Sequence, residues 1–381
     1  MEFSWSESQT ARFKHICEQV RLHIAPLVEA RGIDNFFSRD EWRLCGDLGL
    51  LGLSVHESLG GQGLGWLDTA RAMEAFGYAC EDAGLPFSAA AHLFAVAMPI
   101  AEFASEDLAR ELLPGMCCGD LVGANAITEE QSGSDVFALQ MSVEKDGDSY
   151  ILNGNKNYIS NAPIGDVFVT YGTINPKYGF LGVTAFVVDR NTPGLHISEP
   201  FYKTGLQSVP GGTARFENCR VPATRRLGEE GQGGTIFNRS MQWERACLPA
   251  IFLGVMERQL ERAVTFAKQR RQFKTPLASF QAISHNIAEM KLRLEAARLL
   301  LYRGCWLSEQ GENATSEISM AKLAVAECAL HIGMEGTQVL GGPAIKGDGG
   351  MERVVRDALA ASIASGTKNM QLELIAKGLG L

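Results

Sequence analysis

The sequence has no excess of positive charge, no paired-cysteine spacing, no metal-ligand histidine spacing and no obvious bilayer-length apolar run. Net charge is −9, which argues against wholesale binding to nucleic acid or to an anionic lipid surface, because both need a basic face. The nine cysteines include no Cys-x-x-Cys pair and read as reduced, mostly buried thiols rather than a disulfide framework. The seven histidines are scattered without a His-x-x-x-His step, so no metal site is expected. The longest apolar run is read as Ala246 to Val255, broken by Pro249 and well short of the roughly 20 residues a membrane span needs. Met1-Glu2-Phe3-Ser4-Trp5-Ser6-Glu7 shows neither the basic-then-apolar run of a secretory signal nor an Arg-rich transit peptide, and predicts a cytoplasmic protein.

What is present is an ordinary globular composition, 46% hydrophobic and 21% charged over 381 residues, long enough for two or three structural units. Residues 1–123 read as helical. Ser38-Arg39-Asp40-Glu41 has capping-box spacing, and a helix follows through Trp42, Leu44 and Leu48. Gly60-Gly61-Gln62-Gly63-Leu64-Gly65 has the wrong glycine spacing for a dinucleotide loop and reads as a turn between helices. Phe87 to Phe103 reads as a packed core helix, with His92 a core histidine.

Over residues 124–227 the pattern turns from helical to alternating. The turn Lys145-Asp146-Gly147-Asp148 before Tyr150-Ile151-Leu152 is a hairpin signal. Further strands are expected over 166–171, 183–188 and 213–216. With no helices between them, antiparallel pairing is expected. Residues 228–381 return to helix. One long helix is predicted from about Thr235 to Lys268, another over 317–340, and Ile283, Ile287, Met290, Leu294, Ala297 and Leu301 fall on one stripe facing a bundle core.

Within the first of these C-terminal helices, Met241-Gln242-Trp243-Glu244-Arg245-Ala246 sets a carboxylate among apolar neighbours. Two readings stand. Glu244 and Arg245 form an ordinary ion pair or solvated face, or burial raises the Glu244 pKa toward that of a proton acceptor while the adjacent cation opposes the rise.

Several segments, taken in order, resemble the flavin-dependent acyl-CoA dehydrogenase family over nearly the whole chain. Ile127-Thr128-Glu129-Glu130-Gln131-Ser132-Gly133-Ser134-Asp135 is similar to its Thr-Glu-Pro-x-x-Gly-Ser-Asp segment, with Glu130 where proline is usual. Asn153-Gly154-Asn155-Lys156-Asn157-Tyr158-Ile159-Ser160-Asn161 is similar to Asn-Gly-x-Lys-x-Trp-Ile-Thr-Asn. Arg270-Arg271-Gln272-Phe273, Phe280-Gln281, Gln338-Val339-Leu340-Gly341-Gly342, Arg356-Asp357 and Gly366-Thr367 complete the set. The resemblance implies an α+β fold: an N-terminal helical domain, a middle antiparallel β-domain that is barrel-like, and a C-terminal four-helix bundle.

It further implies FAD, a homotetramer, and cofactor sites between subunits. Ile127, Thr128 and Gly133 would face the flavin with Ile159. Tyr158 would wall the ring and Ser160 reach toward N5, while Ser134 would lie near pyrophosphate and substrate. Arg270 and Gln272 would reach a partner's cofactor, Phe273, Phe280 and Gln281 its adenosine, and Gln338, Gly341, Gly342, Thr367 and Asn369 would add contacts. Most members carry the catalytic base in a Tyr-Glu-Gly-Thr segment. Here the matching residues are Ala364-Ser365-Gly366-Thr367, and a serine hydroxyl is too weak a base unaided. A branch that includes isovaleryl-CoA dehydrogenase places the base on the long helix just before an arginine, which assigns it to Glu244. Arg245 would orient Glu244 or the acyl-carrier arm, and the Ser365 amide would be a donor to the thioester oxygen.

Phe87 to Ile100 looks like the corresponding segment of prolyl carrier-protein dehydrogenases. That implies a prolyl thioester on a phosphopantetheinylated carrier protein as substrate; Arg220, Arg225 and Arg226 are either basic contacts for the carrier or an ordinary solvated cluster. A short branched-chain acyl-CoA dehydrogenase and a catalytically silent scaffold member are the alternatives.

Overall fold

The computed structural model describes residues 4–32, 35–346 and 350–381; Met1 to Phe3 of the N-terminal stretch lie outside them. The chain opens with helices α1 (Glu7–Gln19), α2 (Ala25–Arg31), α3 (Arg39–Asp47), α4 (Trp66–Ala79), α5 (Gly84–His92), α6 (Met98–Phe103) and α7 (Glu106–Cys117). The capping box at α3 is present. Ser38 Oγ accepts from the Glu41 amide at 3.1 Å while the Glu41 carboxylate accepts from the Ser38 amide at 2.6 Å, so two otherwise orphaned donors are satisfied. The Gly60–Gly65 stretch is a turn leading into α4, as its glycine spacing suggested.

A π-helical turn, Leu93–Ala97, joins α5 to α6. Here the reading of apolar runs needs correction. Gly84–Phe103, 20 residues that include an 18-residue window of mean hydropathy 1.5, is long and apolar enough to cross a membrane, and 89% of that window is buried inside the protein. Ser88, Glu102 and the single His92 break the run of letters without lowering its average, so a search for uninterrupted apolar residues passed it by. His92 is a core histidine as expected. Its Nδ1 accepts from the Gly123 amide at 2.8 Å and its Nε2 faces the Met116 carbonyl at 3.2 Å. Burial pushes its pKa down to about 4.

The middle of the chain forms β1 (Gly123–Ala126), β2 (Ser142–Asp146), β3 (Ser149–Ser160), β4 (Val167–Thr173), β5 (Val183–Asp189), β6 (Leu195–Ile197), β7 (Gly211–Pro222) and β8 (Arg226–Leu227). Their order is β6-β7-β3-β2-β4-β5-β8, with β1 added on β4. The β2–β3 hairpin closes at Asp146↔Ser149, and its turn residue Gly147 has φ 59, a left-handed value glycine takes without strain. Antiparallel pairing holds for most of the sheet but not throughout: β1 pairs β4 in parallel, and β2 meets β4 in parallel at Ser142↔Thr173. A parallel pair needs a long crossover. The excursion over residues 127–141 and the β2–β3 hairpin supply it.

The C-terminal part contains α8 (Gly233–Cys247), α9 (Ala250–Gln269), the short strands β9 (Arg271–Gln272) and β10 (Thr275–Pro276), then α10 (Gln281–Glu309), α11 (Thr315–Leu340), α12 (Met351–Ile363) and α13 (Lys368–Gly378). The single long helix expected over 235–268 is therefore two. The break falls at Leu248-Pro249, because a proline in mid-helix has no N–H to donate and its ring crowds the carbonyl four residues earlier. On α10, Met290, Leu294, Ala297 and Leu301 are buried as the stripe requires, whereas Ile283 and Ile287 at its start are only partly covered. The architecture is α+β, with an N-terminal helical domain, a largely antiparallel middle domain and a C-terminal helical bundle.

The bundle is joined to the N-terminal helices by a close glycine crossing. A Cβ on Gly254 of α9 would stand 2.1 Å from the Glu74 carbonyl oxygen of α4 and 2.4 Å from the Tyr78 amide. Backbone cannot give way as a side chain does, so Gly254→Ala must push α4 and α9 apart. A loss of about 1–3 kcal/mol is expected, as for other overpacked cores, read as a lower thermal midpoint; an unchanged midpoint would contradict the crossing.

Candidate active site

On α8, residues 237, 241 and 244 recur at steps of four and three, so one helix face carries Phe237, Met241 and Glu244, and Leu248 at the helix end continues it, all buried. The helix is anchored beside this face by Trp243. Its ring stacks on Trp66 at 3.6 Å and 4°, and its Nε1 donates to Glu102 at 2.9 Å. Glu244 is consequently 8% exposed, which removes the reading of a solvated face. Burial raises its pKa above the ordinary carboxylate value, opposed by the Ser365 hydroxyl, Arg245 and Lys322.

Its partner comes from far along the chain. Ser365 Oγ donates to Glu244 Oε1 across 121 positions of sequence. Ser365 lies in the turn after α12 with φ 57, a conformation that non-glycine residues rarely hold. Three side chains hold that turn. Arg245 Nε donates to the Ser365 carbonyl at 2.8 Å. Gln371 Nε2 reaches the same carbonyl at 3.2 Å and that of Gly366 at 3.0 Å. Lys322 Nζ donates to Ser362 at 2.8 Å and Gly366 at 2.7 Å. Among the described residues the Ser365 amide finds no acceptor, so the residue whose hydroxyl meets the carboxylate keeps an unused backbone donor. Arg245 thus grips the turn.

The two segments quoted from the middle of the chain meet. Lys156, fully buried, donates to Glu129 at 2.7 Å and to the Ile127 carbonyl at 3.0 Å. The Glu129 carboxylate also accepts from the Gln140 and Met141 amides at 2.6 and 3.0 Å, and the Asn157 amide donates to the Thr128 carbonyl at 2.7 Å. This clamp ties the 127–129 segment to the strand that carries Tyr158 and Ser160. Tyr158 has φ 57 and is 75% exposed. Ile159 is buried in the β core, so only its backbone faces outward. Gly133 and Ser134 are exposed on the loop before β2.

Elsewhere, Arg270, Gln272, Phe273 and Gln281 are exposed around the β9–β10 hairpin. Phe273 is 90% exposed and meets Phe280 edge-on at 6.2 Å. Gln338, Gly341 and Gly342 are exposed where α11 ends, with Thr367 and Asn369 at the start of α13. Gly342 borders an open cleft lined by Arg262, Phe266, Leu340, Pro343 and Ile345. Arg220, Arg225 and Arg226 are already paired, with Asp146, with Glu111 and Asp189, and with Glu229, so they present little free positive charge. Asp357 accepts from the Leu206 amide at 2.6 Å and ties the loop before β7 to α12.

Lys322, Gln371 and the Glu129–Lys156 clamp escaped the reading of the sequence. The one signal for Lys322 was a lone cation inside the apolar run Met320–Ala326.

Against known proteins, the descriptions acyl-CoA dehydrogenase N-terminal, middle and C-terminal domain match residues 6–120, 124–219 and 231–380. The chain is 47% identical over 382 residues to an L-prolyl-[peptidyl-carrier protein] dehydrogenase of Pseudomonas fluorescens, covering 100% of both. It is 39% identical over 385 residues to one of Serratia, covering 100% of this chain and 99% of that protein. The solved structure of PigA with FAD and proline superposes with a TM-score of 0.98 at 39% identity over 100% of both chains. The prolyl acyl carrier protein oxidase AnaB does so with 0.96 at 38%, over 99% of this chain and 100% of that one. The chain belongs to the acyl-CoA dehydrogenase family.

Proposed function

We propose that this protein is an FAD-dependent dehydrogenase acting on a prolyl thioester tethered to a peptidyl carrier protein, with Glu244 as the base that takes the α-proton. The observation that carries the reading is the buried contact between Glu244 and Ser365: the serine at the family's usual base position stands beside the acid that replaces it. The relatives that act on prolyl carrier proteins at 47% and 39% identity support the choice of acyl group.

The residues fit the cofactor. Gly133, Gly341 and Gly342 have open space where a Cβ would sit, so a flat ligand can approach the backbone there. Tyr158 and Phe273 present uncovered aromatic faces. Thr128, Ser160 and the backbone of Ile127 and Ile159 would hold the isoalloxazine end. Arg270, Gln272, Phe273, Phe280 and Gln281 would hold the adenosine and pyrophosphate end of a partner's FAD, with Gln338, Gly341, Gly342, Thr367 and Asn369 completing the set. The exposed Phe273 supports a homo-oligomer, and a tetramer is the arrangement proposed. FAD held there would supply the oxidising power for the reaction, as the acceptor of the substrate's β-hydrogen.

The chain's own residues do the rest. A thioester α-proton is weakly acidic, so the base must be poorly solvated, as the buried Glu244 is. The unpaired Ser365 amide would donate to the thioester oxygen as charge gathers there. Arg245 holds that amide in place through the Ser365 carbonyl. Ser134 would meet the carrier arm. With all nine cysteines free and eight of them buried, a reducing cytoplasm is the compartment proposed.

Mass spectrometry of prolyl-loaded carrier after incubation with the enzyme should show loss of two or four hydrogens from the prolyl group. An unchanged prolyl mass together with oxidation of isovaleryl-CoA would transfer the assignment to a branched-chain acyl-CoA dehydrogenase. Protein that stays colourless after incubation with FAD would overturn the enzymatic reading altogether.

A further inference from the structure

Lys322 sits on α11, across the Ser362–Gly366 turn from α8, and is 4% exposed. Among the described residues no carboxylate forms an ion pair with it; its hydrogen bonds go to the Ser362 and Gly366 carbonyls, at 2.8 and 2.7 Å. A buried ammonium lacking a counter-ion is unfavourable, and methionine would fill the same volume without that penalty. The two carbonyls it grips bracket Ser365, the residue whose hydroxyl meets Glu244 and whose amide is free. The groups facing Glu244 are Arg245 from its own helix, Lys322 from α11, Ser365 from the turn and, more distantly, Tyr171 from β4.

We infer that Lys322 is a positioning residue for proton abstraction, pinning both ends of the turn that carries Ser365 against Glu244. The inference rests on the proposed function in taking Glu244 as the base. Two independent effects follow. The hydrogen bonds fix where the Ser365 amide and hydroxyl point, so their loss slows the chemical step more than it weakens binding. The charge lowers the Glu244 pKa, so its loss moves the acid limb of the rate profile to higher pH. Burial and the neighbouring Arg245 push the Lys322 ammonium down to about 8, which leaves it charged through the neutral range.

The test uses the full-length, FAD-loaded enzyme with prolyl-loaded carrier, comparing Lys322→Met, Lys322→Gln and Gln371→Leu. Both Lys322 variants should lose roughly 10–100-fold in kcat per bound flavin with KM little changed, and their acid limb should shift upward. Gln371→Leu removes a neutral donor from the same turn, so it should lower kcat while leaving the acid limb where it is. Wild-type kcat per flavin and an unmoved acid limb in the Lys322 variants would overturn the inference, as would a loss that only tracks missing flavin. Should Lys322→Met fail to accumulate, Lys322→Gln, which keeps a donor and drops the charge, decides the matter. Failure of the proposed function shows instead in the wild-type enzyme, as no oxidation of the prolyl carrier, and the same variants are then compared on isovaleryl-CoA.

Discussion

Glu244→Gln should bind FAD as the wild type does and lose about 10²–10⁴-fold in turnover, the usual contribution of a positioned general base. The substitution suits the site because glutamine is nearly isosteric and its amide oxygen can still accept from the Ser365 hydroxyl that now meets Oε1. Packing against the Trp243–Trp66 stack is untouched, so flavin content and thermal midpoint serve as internal controls. The pH profile adds a second readout. Burial holds the Glu244 pKa above the ordinary carboxylate value, so wild-type activity falls as pH drops through that raised value and the carboxylate takes up a proton. In Glu244→Gln the residual rate should lack this acid limb. Near wild-type turnover in the flavin-loaded variant would remove Glu244 from the mechanism and leave the Ser365 contact as a structural hydrogen bond.

The proposed base stands out in the sequence because two separate oddities answer one another: Ser365 where the family carries an acid, and Glu244 set among apolar residues on a helix. Local signals also served well. The Ser38 capping box, the turn at Gly147 and the Met290–Leu301 stripe each depend on residues within a few positions, and each is present. Where the reading failed, the cause was a competing effect or a distant partner. Pro249 divided a helix whose apolar periodicity runs straight through it. The parallel β1–β4 pairing depends on where an excursion over residues 127–141 returns, which no alternation pattern encodes. Arg225 was a candidate carrier contact, and its pairing with Glu111 and Asp189, both remote in sequence, could not be read from its neighbours. The hydrogen bonds of Lys322 were hidden for the same reason, since the carbonyls it meets lie about 40 residues on.

The buried pair of Lys156 and Glu129 should prove the most sensitive structural point of the site. Lys156 is fully buried and Glu129 is 6% exposed; the carboxylate takes the ammonium and two backbone amides, and the ammonium also holds the Ile127 carbonyl. Removing one partner of such a pair leaves a charge in a place water cannot reach, which typically costs 3–5 kcal/mol, roughly, whereas removing both is far milder. Lys156→Met should therefore destabilise by about 3–5 kcal/mol and lower the thermal midpoint, with the Glu129→Gln/Lys156→Met double variant recovering much of the loss. The damage should also reach the cofactor. The pair joins the segment bearing Thr128 to the strand bearing Tyr158 and Ser160, so the single variant should retain less FAD through gel filtration than Gly254→Ala, whose strained crossing lies between α4 and α9. Equal FAD retention in the two variants, or a double variant no more stable than Lys156→Met, would show that backbone contacts such as Asn157 to Thr128 hold these segments without the ion pair.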